Sequence, residues 1–461
     1  MDKRFPIEDQ IGMLGSMIRG SVVAPHHPDY DTMRMVALAQ FDHRPAAIVR
    51  VANAADIAAV LNVAQTTDLP VAVRSGGHST GGFSTGNGTL VIDVRDLNRI
   101  EIDVEGRTAW AGAGMTAGEV TRAVEQHGLI VGFGDSASVG IAGLTLGGGI
   151  GYLVRKHGLT IDSLLAVEIV TPTGDILVAD ENQHADLFWA LRGGGGNFGV
   201  VTRFKYRLHP LPSFTGGPLV LPPTPEVIAD FAALADAAPN ELSAIAMIMP
   251  IPPVPTIPVE AHGKLAFFAM MAYAGDPAAA QRALAPFRAL ATPLADMIQT
   301  GPCSNLYMFD PPPEMRAMVA VRSRFTDRFG IDEARALVAA AKECSAPMSM
   351  SQIRVLGGAH AAVPVDDTAF AHRRHRFMVS FLAMYGGGPD EVAAQERWVR
   401  ESLASVVPAS PATYVNFLGA DEAQNTPAAY PFATRERLAR VKRRYDPANL
   451  FRLNTNIAPA A

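Results

Sequence analysis

Cysteine is nearly absent: Cys303 and Cys344 are the only two in 461 residues. Two thiols in a chain this long do not make a disulfide framework, so the fold has to be held by its core. Long apolar runs are missing as well. No uninterrupted stretch approaches the ~20 residues of a membrane span. The start, Met1-Asp2-Lys3-Arg4-Phe5-Pro6-Ile7-Glu8-Asp9, has no apolar core of signal-peptide length. A cytoplasmic location, with no membrane partner, is the expectation. Excess positive charge is also lacking. A net charge of −6 argues against nucleic acid or an anionic membrane as partner. The one basic cluster, Arg435, Arg437, Arg440, Lys442, Arg443 and Arg444, reads as a solvated helix face. His26 and His27 have no further ligands at metal spacing, so no metal is expected.

What is abundant is apolar residues and glycine. Hydrophobic content of 48% against 18% charged describes a globular protein with a large core. Many of the glycines gather in three loops. The first loop organises the chain: Val71-Ala72-Val73-Arg74-Ser75-Gly76-Gly77-His78-Ser79-Thr80-Gly81-Gly82. Three apolar residues make a short buried strand, and a glycine-rich turn with an imidazole in its middle follows. Glycine lets backbone N–H groups point into one concavity and approach a ligand closely, which suits a pyrophosphate.

Two short motifs compete for attention. Gly77-His78-Ser79-Thr80-Gly81 fits the G-x-S-x-G nucleophile elbow, but that motif needs a helix after the serine. Here the chain runs into Leu90-Val91-Ile92-Asp93-Val94, which reads as a strand. Gly194-Gly195-Gly196-Asn197-Phe198-Gly199 is formally G-x-G-x-x-G. It follows a helical pattern (Ala185 to Leu191) and opens a strand (Val200 to Leu208), the reverse of a Rossmann loop.

In chain order, a helix is expected from Ile7 to Ile18. Ala47–Val51 reads as a strand, Ile57, Val60, Leu61 and Ala64 recur at helical spacing, and Val71–Val73 completes a β-α-β unit. The glycine turn then lies at a strand's carboxyl end, where open α/β sheets bind ligands. Short strands follow at Leu90–Val94, Ile100–Val104 and Thr108–Ala113. Thr116-Ala117-Gly118-Glu119 is a capping box for a helix ending near Gly128. The second glycine cluster runs from Gly132 to Gly151. Leu165–Thr171 and Ile176–Ala179 form a hairpin. After Leu211 proline becomes frequent (Pro222-Pro223, Pro250 to Pro258, Pro311-Pro312-Pro313), and apolar strands at Leu265–Ala274 and Arg376–Tyr385 alternate with helical stretches. Methionines collect here, among them Met247, Met249, Met308 and Met350, as core filling or as an adaptable apolar pocket wall. A helix is expected at Glu436–Arg443.

Five motifs in order carry a resemblance: Arg74–Ser79, Val139-Gly140 through Gly151, Asp186-Leu187-Phe188-Trp189 through Gly199, Tyr414-Val415-Asn416-Phe417, and Tyr445-Asp446-Pro447 through Asn454. The chain resembles, over nearly its whole length, the flavin-dependent oxidases of the berberine-bridge-enzyme type. These form part of the vanillyl-alcohol-oxidase superfamily, and the likeness is greatest to the bacterial branch with 6-hydroxynicotine oxidase and the enterocin-type biosynthetic flavoenzyme. The resemblance implies an α+β fold. A two-part PCMH-type FAD-binding domain would occupy residues 1–211, with its core at about 43–211. A substrate domain with an antiparallel sheet would span 212–408, and 409–461 would return to the first domain.

The resemblance also implies FAD. Its contacts would be Arg74, Ser75, Gly76, Gly77 and Ser79, then Ser138, Val139, Gly140, Gly143, Gly147, Gly148 and Gly149. Gly199, Val200, Asn416 and Asn454 complete the set. His78 would be the covalent attachment point. Ser136 stands where some relatives carry a cysteine for a second bond, so a single link is expected. Val139, small and beside the flavin, would admit oxygen. The plant enzyme's glutamate base corresponds, counting from His372-Arg373, to Val379, which cannot act. Tyr414 is therefore the candidate base, although an unperturbed phenol titrates near ~10. Tyr273, Tyr307, Tyr385 and His360 are further possible pocket residues. The implied activity is oxidation of a small organic substrate (alcohol, amine or polyketide-like) by flavin and molecular oxygen, in a monomer or homodimer, with a place in secondary metabolism. A flavin dehydrogenase, a carbohydrate oxidase and a flavin-holding protein without catalysis remain open at this point.

Overall fold

The computed structural model describes residues 6–253, 257–309, 316–408, 410–422 and 426–461. The first residues of the chain, Pro255 and the Pro311-Pro312-Pro313 run lie outside the described residues, as does the Met308 side chain.

The first sheet has the strand order Ser21–Val23, Ala47–Arg50, Leu90–Asp93, Val71–Arg74. Ala47–Arg50 and Val71–Arg74 both run parallel to the strand between them. The crossover is the helix Ala54–Thr67, capped by the Asn53 side chain on the Asp56 N–H and closed by Asp68 at φ 60°. Leu90–Asp93 is buried throughout, which is why it reads as a continuous apolar run rather than an alternation. The glycine turn therefore leaves a parallel strand at its carboxyl end.

A second, antiparallel sheet contains Ile100–Asp103, Thr108–Gly112, Val200–Arg207, Leu164–Val170 and Ile176–Asp180, in that order. Thr202, Phe204 and Tyr206 face its core, and Arg203, Lys205 and Arg207 are less buried, as the alternation dictates. The capping box forms: Thr116 and Glu119 cap Ala117–Glu125.

The third sheet is antiparallel. Its main path is Ala295–Asp296, Phe214–Leu221, Leu265–Ala274, Leu242–Pro250, Met348–Val355, Phe377–Tyr385, Met318–Thr326. Helices Pro225–Ala237, Ile331–Glu343 and Pro389–Val406 cover one face, where Phe231, Leu337 and Trp398 share a core with Phe381 of the sheet. The other face meets Ile150, Phe370 and Tyr414. The chain end folds back: Tyr430, Leu438 and Phe451 share one core with Val49, Leu61 and Val200.

The C-terminal helix Phe432–Tyr445 corrects one expectation. Lys442 is not part of a solvated face. Its ammonium is fully buried, donating to Asp446 Oδ2 at 2.7 Å, the Asn197 carbonyl at 2.7 Å and the Phe451 carbonyl at 2.9 Å. Among the described residues, no helix is long and apolar enough to cross a membrane.

Candidate active site

A cavity of about 310 Å³ opens where the glycine loops meet the returning chain end. Gly76 and Gly140 touch backbone to backbone: a Cβ on either would collide with the other's amide nitrogen. This contact is the physical reason for two glycines there, and it fixes the first turn against the second. Ser75 Oγ donates to the Ala113 carbonyl at 2.7 Å, and Thr80 Oγ1 to the Leu418 carbonyl at 2.8 Å. The turn is thus tied at both ends.

Ser75, Gly76, Gly77, His78, Ser79, Val139, Gly140, Gly143, Gly199, Tyr414, Asn416 and Asn454 all line the cavity. Other expected contacts do not. Arg74 turns away, because its guanidinium is buried against Asp93 at 2.7 Å on the neighbouring strand. The Ser138 hydroxyl is 3.2 Å from that of Ser136 rather than facing the cavity. Gly147 packs under Asn416, and Gly148, at φ 129°, under Phe370. Gly149, at φ 81°, spends its N–H on Tyr414. Val200 points to the far side of its strand, and the next residue, Val201, reaches the cavity instead.

The wall has two characters. One end is bare backbone: the N–H groups of Gly76, Gly77 and Ser79 make no hydrogen bond with any described residue. An added Cβ on Gly143 or Gly196 would meet nothing within 4 Å. The rest of the wall includes apolar Leu144, Leu146, Ile150 and Val201. Asn454 Oδ1 is buried without a partner, while its amide donates to the carbonyls of Gly196 and Phe451 at 3.2 and 3.0 Å. Free N–H donors suit an anion, an apolar slot suits a ring system, and an orphaned acceptor awaits a donor. These residues fit FAD.

His78 and Tyr414 are two titratable side chains on this wall. Burial pushes the His78 imidazole below its ordinary pKa, against a smaller opposing pull from its hydrogen bond to the Ser138 backbone. Its ring is thus neutral near pH 7. Tyr414 Oη accepts the Gly149 N–H and the Asn416 amide, each at 2.9 Å. Burial raises the phenol above its ordinary value, while those two donors, Arg354 and the Ile150 N–H pull it down.

The position counted as the lost glutamate needs correcting. Val379 is fully buried in the core beneath the helices, facing away from Tyr414. Its neighbours Met378 and Ser380 take the opposite face, and Met378 packs in the cluster of Ile150 and Tyr414. Tyr273 and Tyr385 belong to the helix-side core. Tyr307 lines a separate, small cavity with Cys303, and His360 is sealed beside Phe370 at 5.8 Å. None of these four lines the main cavity.

Sequence reasoning missed a polar chain at the site. Arg354 Nη2 meets Asp135 Oδ2 at 2.6 Å, and Asp135 lines the cavity. Arg354 Nε and Ser380 Oγ both donate to Gln352 Oε1, at 3.1 and 3.0 Å. The signal was present: Gln352 and Arg354 sit two apart in an apolar strand, hence on one face.

Comparison with known proteins agrees with this geometry. Residues 45–180 match the FAD binding domain family, and residues 413–458 the family described as berberine and berberine like. (R)-6-hydroxynicotine oxidase of Paenarthrobacter nicotinovorans is 29% identical over 96% of this chain and 97% of its own. The FAD-linked oxidoreductase YgaK of Bacillus subtilis (strain 168) is 30% identical, over 96% of this chain and 97% of its own. The crystal structure of 6-hydroxy-D-nicotine oxidase from Arthrobacter nicotinovorans has a TM-score of 0.86 at 26% identity, covering 96% of this chain and 98% of that one. Two family matches at the glycine loops and the returning chain end, and whole-length likeness to both relatives, leave one conclusion: the chain belongs to the FAD-linked oxidoreductases of the berberine-bridge-enzyme type, with the PCMH-type fold and FAD as cofactor.

Proposed function

We propose that the protein is an oxidase that takes a hydride from a carbon bearing oxygen or nitrogen in a small or medium organic substrate. Molecular oxygen is the final acceptor and leaves as H₂O₂. The observation that carries this reading is the placement of His78 and the donor-held Tyr414 on one cavity. The likeness to 6-hydroxynicotine oxidase supports the oxidase class and the substrate size.

Residues 1–211 and 409–461 would hold FAD, and 212–408 would supply the substrate wall. When bound, FAD supplies the two-electron acceptor that the side chains of this chain lack. The free N–H groups of Gly76, Gly77 and Ser79 would hold its phosphates. The neutral His78 ring commits one nitrogen to the Ser138 backbone and keeps the other lone pair free. That free nitrogen would be the atom through which the chain holds FAD by a single covalent link. Ser136 offers a hydroxyl hydrogen-bonded to Ser138 and no thiol, so no second link would form there. Cys303 is no substitute, since burial pushes its thiol up to about 12 and it faces the other cavity. Val139 leaves a small side chain on the wall for oxygen to pass. Tyr414 holds or receives the substrate proton at its phenol oxygen.

The test is to precipitate the purified yellow protein in acid and ask whether colour stays in the pellet, in wild type and in His78→Ala. Colour retained only by wild type supports the histidyl link; colour lost from both removes it. Reoxidation of the reduced protein by O₂ is then compared with reoxidation by a quinone dye. A protein that ignores O₂ is a dehydrogenase, and the oxidase reading falls.

A further inference from the structure

We propose that Gln352 is the donor that orients the substrate, and that the substrate is an uncharged, mainly apolar molecule carrying an acceptor oxygen. This rests on the oxidase reading and goes on to name the substrate class: Gln352 accepts from Arg354, and Arg354 in turn holds Asp135 on the cavity wall.

Strand register defines the wall. Gln352 lies opposite Ser380 on one neighbouring strand and opposite Met247 on the other. Arg354 lies opposite Met378, and Met350 opposite Leu382. Period two puts these residues on the sheet face that meets Tyr414, away from the covering helices. Met247, Met249, Met350 and Leu382 are all half-buried there, although each is large and apolar. Thioether side chains on an accessible face make an adaptable apolar surface.

The polar end of that face is pre-set. Ser380 and Arg354 both donate to Gln352 Oε1, so the carboxamide is held with its oxygen inward. Its Nε2 makes no hydrogen bond with any described residue, yet it is not sealed off from solvent. Two N–H bonds therefore point at open space and call for an acceptor. Charge does not compete for the substrate. Arg354 is spent on Asp135 at 2.6 Å and the Ile150 carbonyl at 3.3 Å, with its guanidinium 5.3 Å over Phe417. A carboxylate would find Arg354 already neutralised, and an ammonium would face Asp135 already paired. A ketone, ester or hydroxyl on an apolar body matches the surface.

The test uses the flavin-loaded protein and four naphthalene probes, read by perturbation of flavin absorbance. They are 2-acetylnaphthalene, 2-ethylnaphthalene, 2-naphthoate and 2-naphthylmethylammonium. Wild type should bind the ketone about tenfold more tightly than the hydrocarbon, the scale of one hydrogen bond, and both ions more weakly than the ketone. Gln352→Leu should bring the ketone down to the hydrocarbon and leave the hydrocarbon unchanged. Gln352→Glu, which turns a donor into an acceptor, should weaken the ketone and strengthen the ammonium. Met350→Lys, which keeps Gln352 but charges the apolar wall, should weaken ketone and hydrocarbon alike. The proposal is overturned if wild type binds no probe, binds an ion tightest, or binds ketone and hydrocarbon equally. It is also overturned if the ketone is unaffected in Gln352→Leu or in Met350→Lys. Flavin content is measured first: a wild type that cannot hold FAD sinks the oxidase reading itself, whereas one that holds FAD and fails the probe series sinks only this proposal.

Discussion

The backbone N–H of Gly149 donates to the phenol oxygen of Tyr414 at 2.9 Å, joining positions 265 residues apart. The Asn416 amide, two residues from Tyr414, donates to the same oxygen at 2.9 Å. These donors fix the phenol oxygen on the cavity wall.

Tyr414→Phe should retain flavin and the thermal stability of wild type to within the loss of these hydrogen bonds. Its turnover should fall on the order of a hundredfold, the lower end for a positioned acid or base. The sign of the pH dependence follows from burial, which raises the Tyr414 pKa above its ordinary value. If the phenolate is the working form, wild-type turnover climbs with pH and does not level off below about 10. A flat profile with the same mutant loss would restrict Tyr414 to hydrogen bonding, and full activity in Tyr414→Phe would end its role.

The glycines separate folding from cofactor binding. Gly143 lines the cavity, and a Cβ there meets no protein atom within 4 Å. Gly143→Val is expected to melt as the flavin-free wild type does and to bind little or no FAD. Gly76→Ala is different, because its Cβ would strike the Gly140 backbone. That variant should lose stability even without flavin. Melting curves on stripped protein, beside flavin-to-protein ratios, decide both; equal flavin content in Gly143→Val and wild type would show that the cofactor does not use this wall.

Local features of the fold could be read from the chain because their causes are local. Asn53 caps the crossover helix and Thr116 with Glu119 forms a capping box, each within four residues. The failures involve partners that the sequence does not place. Arg74 looks like a phosphate ligand until the parallel pairing of its strand sets Asp93 beside it. Lys442 sits in a basic run, and only tertiary packing buries it. Val379 shows the sensitivity of a strand: counting one residue off reverses the face, so the side chains on the face toward Tyr414 are those of Met378 and Ser380. Arg354 and Asp135 are 219 residues apart, and no spacing rule connects them.

Acid stability should report a half-buried histidine pair. His157 stacks on His209 with centroids 4.0 Å apart and planes 14° from parallel. Burial, with added repulsion from His209 and Lys156, brings His157 down from 6.5 to about 3. Between those two values the unfolded chain binds a proton that the folded chain refuses. Stability therefore falls as pH drops below about 6.5, and the loss accumulates toward the folded value. His157→Phe keeps the stack and removes the titration. It should be less acid-sensitive than wild type by roughly 1 kcal/mol at pH 5, allowing for the ring's partial exposure. Chemical denaturation at pH 7 and pH 5 measures the difference, and parallel losses in both proteins would refute it.

The buried Lys442 is a support for the cavity rather than a surface charge. Its ammonium has donors for three acceptors and meets Asp446, the Asn197 carbonyl and the Phe451 carbonyl. Asp446 in turn accepts the N–H groups of Leu450 and Phe451 at 2.8 and 2.9 Å. Asn197 and Phe451 both line the cavity, on loops far apart in the chain. Lys442→Met keeps the aliphatic stem and strands the carboxylate, an uncompensated buried charge worth about 3–5 kcal/mol. The double variant Lys442→Met with Asp446→Asn removes that charge and should recover much of the stability. It should not recover tight flavin retention, because the two carbonyls still lack their common donor. Full recovery of both would make the pair a matter of charge balance alone; recovery of stability without flavin shows that Lys442 holds the two loops in the spacing the cofactor needs.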